Sequence, residues 1–185
     1  FFDVCEDDDA KSIERKILSA EAIALDVVLK GLNKGVFEAS EQDHSLATWY
    51  GRRSPEDGWI DWARSSRDIS KLIRASADPH PGAFTYCDDV TIQIWKAQVV
   101  NEPIQGVVGR VLGVEEGDCF VVQCGEGLLR ISDWSSSRAW RPRVGVRLGY
   151  YVESEIVRLR GVCADLQARI MELESALAAI KSEAA

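Results

Sequence analysis

The sequence predicts an α+β chain in three parts: an N-terminal helix with a linker, a small five-stranded β-barrel, and a C-terminal helix of coiled-coil type. Two observations point there. Apolar residues recur at helical spacing over residues 13–27, switch to a period of two between 83 and 133, and return to alternating steps of three and four from 156 to 180. In addition, 46% of the 185 residues are apolar, enough for a packed core in one domain with appendages or in two small ones. The expected boundaries are 1–62, 63–150 and 151–185.

Asp7-Asp8-Asp9 suits a helix start, because carboxylates cap free N–H groups and meet the positive end of the helix dipole. Ile13, Ile17, Ala20, Ala24 and Val27 follow as one stripe, and Gly31 or Gly35 can end the helix. The stripe has no partner in the first forty residues, so it must pack on a later element or on another domain. The chain begins with Phe1, which reads as processing or a fragment, and residues 1–6 lack the basic and apolar regions of a signal peptide. Residues 36–62 read as linker, with Trp49, Tyr50, Trp59 and Trp62 expected to pin it to neighbouring surfaces.

Ser65 or Ser66 can cap a short helix to about Ala75 that buries Ile69, Leu72 and Ile73. Asp78-Pro79-His80-Pro81-Gly82 stops it, since proline lacks an N–H and restricts the residue before it. Strands are then expected at 83–87, 91–100, 106–114, 119–124 and 128–133, joined at Asp88-Asp89, Glu116-Gly117-Asp118 and Gly125-Glu126-Gly127. Five short strands in about fifty residues imply a highly curved barrel of the OB type. Phe84, Ile92, Ile94, Val107, Val111, Phe120, Val122, Leu129 and Ile131 are expected to point inward. In the last helix, Ile156, Cys163, Ile170 and Leu177 occupy a positions and Leu159, Leu166, Leu173 and Ile180 occupy d positions. That seam points to a homodimer, although a helix packed on its own barrel would show the same stripe.

Composition excludes some functions. A net charge of −8 opposes a nucleic-acid surface, which needs clustered Lys and Arg. No stretch approaches the roughly 20 apolar residues of a membrane helix. Cys5, Cys87, Cys119, Cys124 and Cys163 form no CxxC pair, so no metal site is expected; they read as reduced thiols in a cytoplasmic protein. The acidic run is a helix cap rather than a cation loop, and Gly125-Glu126-Gly127 is a hairpin turn rather than a dinucleotide fingerprint. His44 and His80 have no orienting partner in sequence and read as surface residues. The loop at 135–147 is basic and carries Trp140, which reads as a buried ring more readily than as a stacking platform. Arg52 and Arg53 are the candidate substrate-binding residues, since two guanidiniums in an irregular segment can clamp a phosphate or carboxylate. The competing reading pairs them with Glu56, Asp57 or Asp61 to fix the linker.

Asp7-Asp8-Asp9-Ala10-Lys11-Ser12-Ile13, the run Gly51-Arg52-Arg53-Ser54-Pro55-Glu56-Asp57-Gly58-Trp59-Ile60-Asp61-Trp62, Ile73-Arg74-Ala75, Pro81-Gly82-Ala83-Phe84-Thr85 and Gly125-Glu126-Gly127-Leu128-Leu129-Arg130-Ile131 together resemble the folate-dependent formyltransferases. The likeness covers the junction and C-terminal domain of that family, from about residue 7 to 134. It implies formyl transfer from 10-formyltetrahydrofolate to a primary amine. The family's Asn, His and Asp lie upstream, on a domain this chain lacks, so no catalytic residue is assigned and the folate is expected on that domain rather than here. The arginine-rich junction resembles the sugar formyltransferases most and implies an amino-sugar nucleotide as acceptor. Two alternatives stay open: the C-terminal domain of a methionyl-tRNA formyltransferase, and a non-catalytic scaffold module with an oligomerising helix.

Overall fold

The computed structural model describes residues 2–36 and 39–183, with side chains outside 153–154 and 177–183. The chain divides into two units, Phe1–Gly149 and Tyr150–Ala185.

Helix α1 spans Ala10–Asn33 and starts as its sequence predicts. The Asp9 carboxylate accepts from the Ser12 amide at 2.8 Å, and the Ser12 hydroxyl accepts from the Asp9 amide at 2.9 Å. Nothing in α1 is buried. Its N-terminal end is tied down, because Arg74 donates to the Asp8 carbonyl at 2.7 Å and Lys11 meets Asp78 at 2.6 Å. Further along, Ile23 and Val27 are 68% and 64% exposed.

Residues 39–57 are all exposed. The expectation that Trp49 and Tyr50 pin the linker is wrong, since they are 92% and 90% exposed. Order against the core begins at Gly58, and Ile60 and Trp62 are buried. Helix α2, Ser66–Ser76, is capped by the Ser65 hydroxyl and buries Ile69 and Ile73, with Leu72 partly buried beside them.

Strands β1 (Ala83–Cys87), β2 (Val90–Val100), β3 (Val111–Val114), β4 (Phe120–Gln123) and β5 (Leu128–Ser136) form one antiparallel sheet in the order β1-β2-β5-β4-β3. The predicted closed barrel is not what the pairing shows, since β1 and β3 are edges that do not pair. The third strand is shorter than expected because residues 107–110 turn, with the Arg110 amide bonded to the Val107 carbonyl at 2.9 Å. The segment 145–149 covers both edges instead. Val111 N donates to Val146 O at 2.8 Å, Leu148 N to Gly109 O at 2.7 Å, and Gly149 N to Tyr86 O at 2.8 Å. The outer side of β1 also takes a bond from Ile60 N to Phe84 O at 2.8 Å. Covered edges do not offer a template for further strands.

The core joins Ile92, Ile94, Val111, Phe120, Val122, Leu129 and Ile131, as expected. Phe84 and Val107 are corrections. Ala83 pairs with Ile94 and Thr85 with Ile92, and directly opposed residues share a face. Ala83, Thr85 and Cys87 therefore point inward, leaving Phe84 half-buried on the other face, edge-on to Tyr86 at 5.7 Å. Val107, in the turn before β3, is 49% exposed. Phe120, Trp134 and Trp140 form a cluster of edge-on rings with centroids 5.1–6.0 Å apart.

The second unit is helix α3, Val152–Glu183. Ion pairs Arg158–Glu155 and Arg169–Glu172 lie along it at 2.6 and 2.8 Å. The described seam residues Ile156, Leu159, Leu166, Ile170 and Leu173 are 43–58% exposed, and the Leu177 and Ile180 side chains fall outside the described residues.

Candidate functional site

Two turns build the site. The first is a 3₁₀ turn, Pro55–Gly58, with proline at its start and the Asp57 carboxylate folded back to accept from the Ser54 amide at 2.7 Å. The second leaves α2, with Gly82 N bonded to Ser76 O at 2.8 Å and His80 N to Ala77 O at 3.0 Å. Glycine lets them approach. A Cβ on Gly58 would lie 2.8 Å from the Gly82 carbonyl oxygen. Gly82 has φ +88°, and a Cβ there would come within 2.7 Å of the Trp95 ring. Between the turns lies a cavity of about 160 Å³, lined among others by Arg53, Ser54, Ser76 and His80.

Arg53, Ser54, Ser76 and His80 bring polar side chains to a lining otherwise made of proline, glycine and alanine. Arg53 gives one N–H to the Asp57 carbonyl at 3.2 Å and forms no ion pair with Glu56, Asp57 or Asp61 among the described residues. The linker-fixing ion pair considered from sequence is therefore replaced by a bond to backbone. Ser76 is 4% exposed, and its Oγ has no hydrogen-bond partner. An unpaired buried hydroxyl costs about 1–3 kcal/mol. The Glu56 carboxyl is held below its ordinary range, chiefly by a hydrogen bond from the Ser54 side chain.

Of the two predicted arginines, Arg53 lines the cavity, whereas Arg52 is exposed and is not among its lining residues. His80 is exposed, as a surface turn residue should be, yet it also lines the cavity, which sequence reasoning missed. Ser76 was missed as well. Its signal was present: it falls on the stripe of Ile69 and Ile73, so a polar group sits on the buried face of α2. His44 lies in an exposed 3₁₀ turn, His44–Leu46, and is not among the residues lining this cavity. The acidic run serves as a cap and an anchor: Asp9 caps α1 and Asp8 pairs with Lys16 at 2.6 Å. Among the described residues no group of three His, Cys, Asp or Glu side chains could hold a metal ion. Likewise, no described helix is long and apolar enough to cross a membrane. In the basic loop, Trp140 is half-buried in the ring cluster and Arg138 pairs with Asp89.

Residues 52–138 match the family model for the formyl transferase C-terminal domain. Among solved structures, the chain is similar to HypX from Aquifex aeolicus. One multiply substituted variant gives a TM-score of 0.59 at 18% identity, covering 72% of this chain and 24% of that one. A second gives 0.51 at 19% identity, covering 62% and 20%. A structure of HypX in complex with tetrahydrofolic acid gives 0.49 at 19% identity, covering 63% and 20%. The chain thus spans about a quarter or less of the length of HypX, and at these identities the likeness is one of fold.

Proposed function

From the match of residues 52–138 to the formyl transferase C-terminal domain, we propose that the chain is the acceptor-positioning part of a 10-formyltetrahydrofolate-dependent formyltransferase. The family match is the observation that carries this reading. Formyl transfer needs an amine held against the formyl carbon, donors aimed at the developing oxyanion, and a group to take the amine proton. The lining residues of the Arg53 cavity include neither an asparagine nor a carboxylate. The Arg53 cavity, at about 160 Å³, is well below the roughly 300–1,000 Å³ of pockets that enclose a drug-sized ligand, so it does not fit a folate. The catalytic Asn, His and Asp and the folate are therefore assigned to a separate catalytic domain, and the exposed apolar face of α1 is the surface offered to it.

An amino-sugar nucleotide is the proposed acceptor. Such a substrate needs one compact anion grip, which Arg53 can supply, with Arg52 beside it in sequence. A tRNA needs an extended basic track, and a net charge of −8 opposes one. Helix α3 is the proposed homodimer seam, and five free cysteines suit a reducing, cytoplasmic setting.

The test is formyl transfer by this chain joined to its catalytic domain, with 10-formyltetrahydrofolate and either a uridine-diphosphate amino sugar or methionyl-tRNA. Formylation of the sugar nucleotide is expected. Preference for methionyl-tRNA would reverse the acceptor, and transfer to neither would leave the scaffold reading in its place.

A further inference from the structure

We propose that the cavity between Arg53, Ser76 and His80 is an oxyanion seat, taking one phosphoryl or carboxylate group from the end of a larger ligand. Three independent observations meet there. The first is the Ser76 hydroxyl, nine-tenths buried on the lining and without a partner. A buried hydroxyl ordinarily finds a bond within the fold, so an unmet one on a cavity wall is a donor held for something that enters. The second is the character of the rim. Arg53 spends one N–H on the Asp57 carbonyl and keeps the rest of its fork unpaired, and the His80 imidazole has no partner among the described residues. Arginine is donor-only, and imidazole and hydroxyl can each donate one bond as well as accept, so the three polar groups on an otherwise apolar lining can serve acceptor oxygens. The nearby Asp57 carboxylate is engaged by the Ser54 amide at 2.7 Å and is not a lining residue, so it does not supply the missing anion.

The third observation is size and shape. The cavity, at about 160 Å³, has room for one small group with its water but not for a whole nucleotide or folate. Its walls are held by the approach of Gly58 to Gly82 and by the backbone bond from Gly82 to Ser76. The ligand's remainder would lie outside, along the exposed linker. Assigning the oxyanion to the acceptor's diphosphate rests on the formyl-transfer reading above, whereas the seat itself does not.

The experiment titrates the purified chain, without folate, with pyrophosphate, uridine diphosphate and glutarate by calorimetry. Saturable binding of at least one is expected. Binding of the two phosphate probes identifies a phosphoryl group, and binding of glutarate alone a carboxylate such as a folate tail carries. Arg53→Ala and Ser76→Ala are each expected to raise Kd about tenfold or more, the effect of a hydrogen bond to a charged group. Without ligand, Ser76→Ala is expected to keep or raise Tm, because an unmet hydroxyl is removed. No saturable binding, binding indifferent to both substitutions, or a lowered Tm for ligand-free Ser76→Ala would each overturn the proposal. Because no formyl donor is present, failure here leaves the formyl-transfer reading standing, and failure of transfer leaves the seat standing.

Discussion

The indole N–H of Trp62 donates to the Thr85 hydroxyl at 2.9 Å inside the core, joining the end of the linker to β1. Both residues are nearly inaccessible, at 3% and 0% exposure. The Trp62 carbonyl also accepts from Gly125 N at 2.8 Å, so one residue ties the linker, β1 and the β4–β5 turn together. Thr85→Val keeps shape but leaves the indole donor unmet, and should lower unfolding free energy by about 1–3 kcal/mol. Chemical denaturation measures it, and a change within error would mean that the indole finds another acceptor.

Gly82→Ala tests how the site is held. An alanine there must hold φ near +88°, and its methyl meets the Trp95 ring at 2.7 Å. A destabilisation of roughly 1–3 kcal/mol is expected, the usual scale of overpacking. The tryptophan fluorescence difference against a Trp95→Phe background would report whether that ring moves, and an unchanged difference with unchanged stability would contradict the packing described here.

Much of this arrangement was legible in the sequence. The cap at Asp9, the α2 stripe of Ile69 and Ile73, and the strand cores around Ile92 and Phe120 all follow from local rules of spacing and capping. Phe84 shows where such rules stop. Alternation fixes which residues share a face but not which face is inside, and that choice came from the register of Ala83 against Ile94. Trp49 shows another limit, because an aromatic in a linker finds a surface only if tertiary structure brings one. The cavity was half legible. Arg53 stood out by charge and Ser76 by its place on the α2 stripe, whereas their meeting in one cavity became visible only once α2 and the Gly82 turn were placed in space.

Acid should loosen the N-terminal end of α1. The Asp8 carboxyl is lowered from 3.8 to about 2, first by the Lys16 side chain, then by the Cys5 amide and Ser12 hydroxyl. A carboxylate with a depressed folded pKa contributes stability that is complete above its unfolded value and is lost as pH falls through the folded one. The anchor should therefore weaken between about pH 4 and pH 2. Asp8→Asn should show that loss already at neutral pH, read as faster amide exchange in the first turns of α1. Equal exchange in the two proteins would remove Asp8 from the anchor.

Thiol chemistry should sort by burial. The Cys124 thiol is pushed up to about 12 by burial, and burial also raises Cys87. Only thiolates attack disulfide reagents efficiently, so both should stay protected in the native state. Cys5 and Cys163 are exposed and should react first, with Cys119 between. Mass spectrometry after timed labelling gives the order, and early modification of Cys124 would contradict the packing of β4.

Cys163 also reports on α3. The heptad puts Cys163 at an a position with Ile156 and Ile170, and Leu159, Leu166 and Leu173 at d. β-Branched a residues with Leu at d favour parallel two-stranded coils. The described d residues are about half exposed within the single chain, so that apolar surface is open to a second copy. In a parallel dimer the two Cys163 residues face each other, and mild oxidation should give a homodimer cross-linked through that residue. Gly161, at an f position, weakens the helix by about 1 kcal/mol relative to alanine, so Gly161→Ala should tighten association without touching the seam. Changing Leu166 and Leu173 together to Asp places four charges in the seam and should give a monomer by sedimentation, with the sheet intact by circular dichroism. An unchanged mass with the fold retained would show that α3 is not the interface. Loss of the sheet signal in the same variant would instead mean that the helix packs on its own domain.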